Sequence, residues 1–304
     1  MGAAEDNQEP VIDLTDAAMA REALLQEPEV SVDEDGELVI DLRELIPSGR
    51  SIVNAKSPSG RPPDLAPGQR LVAITGGDRW MDAEAFVYER YVEIGFTHQS
   101  SRKQVEELAR WADSSIFHAV VDDDDKIVGT IRSIFGTYDE LPVGQFERID
   151  HDDQDPLCEL SSVVVDPAVS STGILEHLFR AGWASATRAR SNAIVCLIDR
   201  WLVDVFRDTY ALPFVPIAIP HYHMGGNVIP LTMSTARWSM AEIARNNPDY
   251  WLWNLEALEP EEIEAYDLAG LVSGDEVKGT SSDESATSAA ATSSTTSSGE
   301  SSSS

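Results

Sequence analysis

The fold class predicted by this 304-residue chain is a mixed α/β sandwich, a mostly antiparallel central sheet flanked by helices. Three observations predict it. Two β-rich runs meet at a charged turn in "IFHAVVDDDDKIVGTIRSI". A strand, "CELSSVVVD", stops at Pro167 and gives way to a run of helical period, and a second strand, "AIVCLID", follows that run. Helix pair, hairpin, strand, helix, strand, helix and final strands, in that order, build such a sandwich.

Each element has its own signal. Residues 1–68 mix acidic stretches with "IPSGRSIVNAKSPSGRPPDLAPG" and hold only short apolar pieces such as "GELVIDLRELI". Such a segment buries too little to repay ordering, so a mostly flexible segment with one docking strand is expected. Residues 69–258 give about 190 residues, enough for one globular domain with a sizeable core. Within it "AEAFVYERYVEIGF" and "SRKQVEELARWAD" carry helical periodicity. In the hairpin, Phe117, Ala119 and Val121 alternate with Ile116, His118 and Val120, and Ile127, Gly129 and Ile131 alternate with Val128, Thr130 and Arg132. The clustered aspartates between them repel one another and seek water, which puts them on the turn. Past Pro167, Ile174, Leu175, Leu178, Phe179 and Trp183 sit at helical spacing, with Ser171 or Thr172 as cap. "RWLVDVFRDTY" reads as a helix, and "PFVPIAI" and "NVIPLTMS" as two final strands. Residues 259–304, acidic and then of low complexity, are expected to be a disordered tail.

Composition excludes several classes of function. A net charge of −31 argues against nucleic acid as partner, because phosphate binding needs a basic face. Only two cysteines, Cys158 and Cys196, and no charged-then-apolar leader point to a reducing, cytoplasmic setting. No apolar run approaches the roughly 18 residues that span a bilayer. The string "DDDDKIVG" resembles the activation site of trypsinogen, yet the Gly-Asp-Ser-Gly-like loop, partnered histidine and several disulfides of such proteases are missing. A calcium loop is excluded by spacing: after Asp122, Asp124 and Lys126 there is no turn glycine and no distal bidentate glutamate.

Over residues 71–240 the order of elements resembles the GCN5-related N-acetyltransferase (GNAT) superfamily, and more narrowly the acyl-homoserine-lactone synthases and N-acyl amino acid synthases. Three stretches carry the resemblance: "YVEIGF", "DDDDKIVGTIRSI" and "CELSSVVVDP". It implies a GNAT-like sheet, with Arg132, Glu159 and Ser161 as functional residues. Ser162 replaces the arginine that follows the serine in the lactone synthases. The loop "VSSTGIL" falls where the superfamily cradles a pyrophosphate on backbone N–H groups. Ser170, Ser171 and Thr172 stand there in place of arginine and glycine, with Gly173 retained. These four, with Val163 and Val165, are the expected donor-binding residues. The altered cradle points to acyl carrier protein ahead of acyl-coenzyme A as donor substrate, with no tightly bound cofactor. Arg180, Arg188 and Arg190 are either a docking patch for an acidic carrier or ordinary solvated helix charges.

The chemistry gives the same residues work. An amine that attacks an acyl thioester must lose a proton and build an oxyanion, so the site needs a base and donors at the oxygen. Glu159 is the candidate base, and the fork of Arg132 suits the carboxylate of an amino-acid acceptor or polar groups of the donor. A mutual structural ion pair of the two is the plain alternative. In "IPHYHMGGNVIP", His221 and His223 flank Tyr222; with no third ligand in reach, a metal is not expected. They are assigned to the substrate pocket, and Tyr222 or one of the histidines to protonation of the leaving thiolate, against simple loop packing. Cys158 reads as a buried thiol. The expected function is transfer of an acyl group from a thioester to the amine of a small acceptor. A coenzyme A-dependent acetyltransferase is the runner-up, and a non-catalytic module binding lipid or carrier protein is the rival.

Overall fold

The computed structural model describes residues 61–149, 155–169, 173–199 and, with gaps at 204–205, 208–209 and 225, residues 202–271. It also describes a short antiparallel ladder of Ser31–Val32 with Leu38–Val39. The expected disorder at the two ends, and Ser170, Ser171 and Thr172, lie outside the described residues.

The strands in chain order are β1 (Arg70–Ile74), β2 (Ser115–Val121), β3 (Ile127–Gly136), β4 (Leu157–Val165), β5 (Ala193–Asp199), β6 (Val215–Pro216), β7 (His221–His223) and β8 (Gly226–Ser234). They form one sheet in the order β1-β2-β3-β4-β5-β8-β6, with β7 also on β8. Every pairing is antiparallel except that of β4 with β5. The hairpin is as expected: Asp122 Oδ1 accepts the N–H groups of Asp124 and Lys126, which fixes the turn.

One helix covers each face. Helix α1 (Asp78–Ile94) buries Trp80, Ala83, Glu84, Val87, Tyr88 and Tyr91, a stripe at i, i+3, i+4, i+7, i+8 and i+11, and ends at Gly95 in the left-handed conformation, φ 77°. On the other face lies the 15-residue helix α3 (Ile174–Arg188). It approaches closely because two glycines leave room. A Cβ on Gly129 would lie 2.6 Å from Ile174 Cγ2, and one on Gly182 would lie 2.7 Å from Leu160 Cδ2. Strand alternation then divides the core, Ile134 and Leu157 packing on the α1 side and Ile131, Cys158 and Leu160 on the α3 side.

The second expected helix shrinks to one turn, α2 (Glu106–Ala109), followed by a 3₁₀ turn at Ala112–Ser114. Val105, Leu108 and Trp111 are all buried at a spacing of three, and the Trp111 indole donates to the Glu140 carbonyl at 2.6 Å, so tertiary contacts outweigh the helical pattern. "PFVPIAI" yields only β6 and a bridge from Ala218 to Arg148, because Pro213, Pro216 and Pro220 have no N–H to give a ladder. In "RWLVDVFRDTY", Leu202–Val203 and Phe206–Arg207 are helical, Tyr210 is in a turn, and the rest lies outside the described residues.

The packed region also exceeds the expected boundaries of 69 and 258. Before it, Leu65 packs on the α3-side core. After β8 come α4 (Arg237–Asn246), α5 (Pro248–Leu255) and α6 (Pro260–Ala265), the last with a capping box of Glu259 and Glu262. No described helix is long and apolar enough to cross a membrane.

Candidate active site

Two rows of side chains cross the sheet beneath α1. The register aligns Phe117, Arg132 and Ser161 in one row and Ser115, Ile134, Glu159 and Val195 in the next. Glu159 and Ser161 therefore share a face of β4, and Glu159 is a diagonal neighbour of Arg132, a relation that sets residues about 7–8 Å apart.

Between Thr130 and Arg132 the β3–β4 register shifts, and Ser162 takes φ 51° as the extra residue of a bulge in β4. Thr130 Oγ1 donates to the Ser162 carbonyl at 3.1 Å and pins that bulge. Close by, the β4–β5 ladder ends at Leu160 and Cys196. Past this point β4 pairs with β3 and β5 with β8, so the two strands part into a fork with the bulge on one prong. At its foot, on the α3 side, Leu160, Phe179, Trp183, Ile194, Met233 and Tyr250 help to line an apolar cavity of about 40 Å³.

Arg132 is only 2% exposed. Its guanidinium carbon lies 5.3 Å from the ring centres of both Trp80 and Phe117. Burial lowers its pKa to about 10, and the charges of Glu84 and Tyr91 oppose that shift. Nε and Nη2, the two donors of one edge of the guanidinium, have no hydrogen-bond partner among the described residues. Glu159 is equally buried, and one carboxylate oxygen accepts the Val143 N–H at 2.8 Å. Burial pushes its carboxyl up to about 8, against that hydrogen bond. Arg132 and Glu159 thus share a face without forming an ion pair among the described residues, which removes the structural-pair alternative.

Other expected residues fall in different places. Ser161, half-buried, stands opposite Arg132. Val163 and Val165 pack partly buried against the α3-side core, and Gly173 begins α3 with φ 71°. Tyr222 does not meet Glu159: it is 59% exposed on β7, and β8 and β5 intervene before β4, a span of about 14 Å at the usual strand spacing. His221 and His223 instead flank Phe146, with ring centres 6.5 and 5.6 Å away.

The three arginines weighed as a carrier patch are engaged. Arg180 donates to the Trp253 carbonyl at 3.0 Å, Arg188 grips Glu262 through two bonds of 2.8 and 3.0 Å, and Arg190 lies 5.9 Å from the Tyr266 ring centre. They fasten α3 to the C-terminal helices. Cys158 and Cys196 are buried free thiols, and burial pushes Cys158 up to about 12.

Sequence reasoning missed Trp80, Tyr91 and the Val143 N–H. Tyr91 lies on the buried stripe of α1 with its hydroxyl near Ser162, Arg132 and Asp199, and burial pushes it up to about 12. Its place in the stripe was a usable signal, whereas a backbone donor such as Val143 leaves no trace in side-chain types.

Residues 82–212 match the family model described as "N-acyl amino acid synthase FeeM". That span holds Arg132, Glu159 and the fork. Comparison with the curated proteins gives no match. Among solved structures, FeeM, an N-acyl amino acid synthase from uncultured soil microbes, is similar at 16% identity, covering 56% of this chain and 93% of its own, with TM-score 0.42. TofI in a ternary complex with an inhibitor and MTA is 15% identical over 57% of this chain and 96% of its own, with TM-score 0.44. A CoA-dependent acyl-homoserine lactone synthase, BjaI, with SAM and isopentyl-CoA is 11% identical over 62% of this chain and 99% of its own, with TM-score 0.46.

Proposed function

We propose that this GNAT-like N-acyltransferase joins the acyl group of a phosphopantetheine thioester to the amino group of a small acceptor that carries a carboxylate, such as an amino acid. The observation that carries this reading is the pairing, on one face beside the fork, of a buried carboxyl and a buried guanidinium that do not neutralise each other.

In this reading the free edge of Arg132, Nε and Nη2, takes the acceptor carboxylate as a two-pronged bond. The neutral acceptor amine attacks the thioester carbonyl carbon, the C–N bond forms, and the C–S bond breaks, the departing thiolate leaving as the thiol with the proton that Glu159 has taken from the nitrogen. Glu159 takes the amine proton; a base that titrates near 8 is matched to a neutral medium. The Tyr91 phenol, protonated at that pH, is a hydrogen-bond donor for the carbonyl oxygen at the bulge.

Steady-state kinetics of Glu159→Gln tests the assignment. Turnover should fall about 10²–10⁴-fold with donor binding within a few-fold of the parent. A folded variant that turns over at the parent rate would remove Glu159 from the chemistry.

A further inference from the structure

Glu159 takes its hydrogen bond from outside the regular elements. The chain between β3 and β4 folds into two successive 3₁₀ turns, Tyr138–Glu140 and Pro142–Gln145, and the second of them carries Val143. Bonds from three directions hold this double turn in one shape. At its start Glu140 Oε2 accepts the Thr137 N–H and hydroxyl at 3.0 and 2.9 Å. At its end the Tyr138 hydroxyl donates to the Phe146 carbonyl at 3.2 Å. From outside, the indole of Trp111, buried in the α1-side core, donates to the Glu140 carbonyl at 2.6 Å.

The two turns lie directly on one another at Gly144. A Cβ there would stand 2.5 Å from the Tyr138 oxygen and 2.8 Å from Asp139 Cα, both backbone atoms that no side-chain rotation can move. So close an approach needs glycine, and a methyl group at 144 must displace the turn that carries the Val143 N–H.

The consequence falls on the carboxyl. Glu159 Oε2 accepts the Val143 N–H at 2.8 Å, and Oε1 takes no bond among the described residues. Burial and that N–H are the two influences on Glu159, and they oppose one another. The other titratable groups around it form no bond with it among the described residues. Cys158 and Cys196 feel its charge as buried thiols of β4 and β5, and Tyr138 feels it from the double turn, with Arg148 over its ring. Arg132 is the diagonal neighbour on β3, and from α1 Glu84 and Tyr91 act on Arg132.

We propose that Gly144 and Trp111 are positioning residues for the base: they hold the double turn so that the Val143 N–H stays on Glu159 Oε2 and leaves Oε1 to the acceptor amine. The inference rests on the acyltransfer reading for what the base does, whereas the contact itself is a property of the carboxyl and can be measured without any substrate.

The test follows the ¹³C signal of the Glu159 carboxyl against pH in the full-length protein, identified as the signal missing from Glu159→Gln. It compares the parent with Gly144→Ala and with Trp111→Phe, which removes the indole N–H, adds no atom and carries the test where Gly144→Ala does not fold. Without the N–H the carboxyl loses what favours its charged form, so its midpoint should rise from about 8 by roughly one pH unit in each variant. Below that midpoint kcat/KM should fall about tenfold and recover as pH rises, whereas a merely structural defect would lower the rate at every pH without moving the midpoint. A raised midpoint supports the positioning role even if the parent transfers no acyl group, an outcome that would sink the acyltransfer reading alone. A folded variant that titrates at the parent midpoint strikes its residue from the role, and both doing so overturns the proposal.

Discussion

Glu159 sits where a carboxyl is expensive to ionise, and its titration should be visible in stability as well as in rate. Its folded pKa is raised from 4.5 to about 8, so between those values the folded protein keeps a proton that the unfolded chain has released. Stability contributed by this group is therefore complete below about pH 4.5 and is lost as pH rises towards 8, by a few kcal/mol. Urea unfolding at pH 5 and pH 8.5 should show that loss in the parent and its absence in Glu159→Gln. Arg132 makes the complementary case. It is buried without an ion pair, so Arg132→Met, which fills the aromatic sleeve of Trp80 and Phe117 without a charge, should leave the melting temperature unchanged or higher while acceptor binding falls at least tenfold. Breaking a true buried pair would instead cost roughly 3–5 kcal/mol. Both residues were legible in the sequence as types at positions; that they share a face followed from strand alternation. Their lack of contact was not legible, because Glu159 turns to the Val143 N–H from a loop whose path no periodicity encodes.

The elements that build the fork were read more completely than those that fasten it. Alternation in "IFHAVV" and "IVGTIR" predicted β2 and β3, and Pro167 marked the end of β4, since local patterns decide such strands. Helices α4 to α6 were missed; α5 takes its place by packing Tyr250, Trp251 and Trp253 against the α3 side rather than through a narrow amphipathic stripe. The bulge at Ser162 was missed as well: a left-handed serine carries no compositional mark. Glycine is what lets α3 sit close to β4. Gly182→Ala should therefore press on Leu160 at the foot of the fork and cost about 1–3 kcal/mol, measured by denaturant unfolding. A neutral result would mean that α3 shifts freely and does not fix the fork.

At the scale of the whole molecule the dominant fact is charge, −31 over the chain. The arginines that sequence reasoning reserved for docking an acidic carrier hold the C-terminal helices instead. With that patch spent, an anionic donor approaches a repelling field, so kcat/KM for the donor should rise with ionic strength between about 0.01 and 0.15 M as the screening length shortens. A fall would reveal a local basic surface that steers the donor. The central claim is N-acyl transfer to a carboxylate-bearing amine through Glu159 and Arg132. It is tested most directly by incubating the purified protein with an acyl thioester and a mixture of amino acids and identifying products by mass spectrometry. The account predicts N-acyl amino acids, formed by the parent and reduced about 10²–10⁴-fold by Glu159→Gln. Thioester consumed without amide, or amide formed equally by the variant, would contradict it.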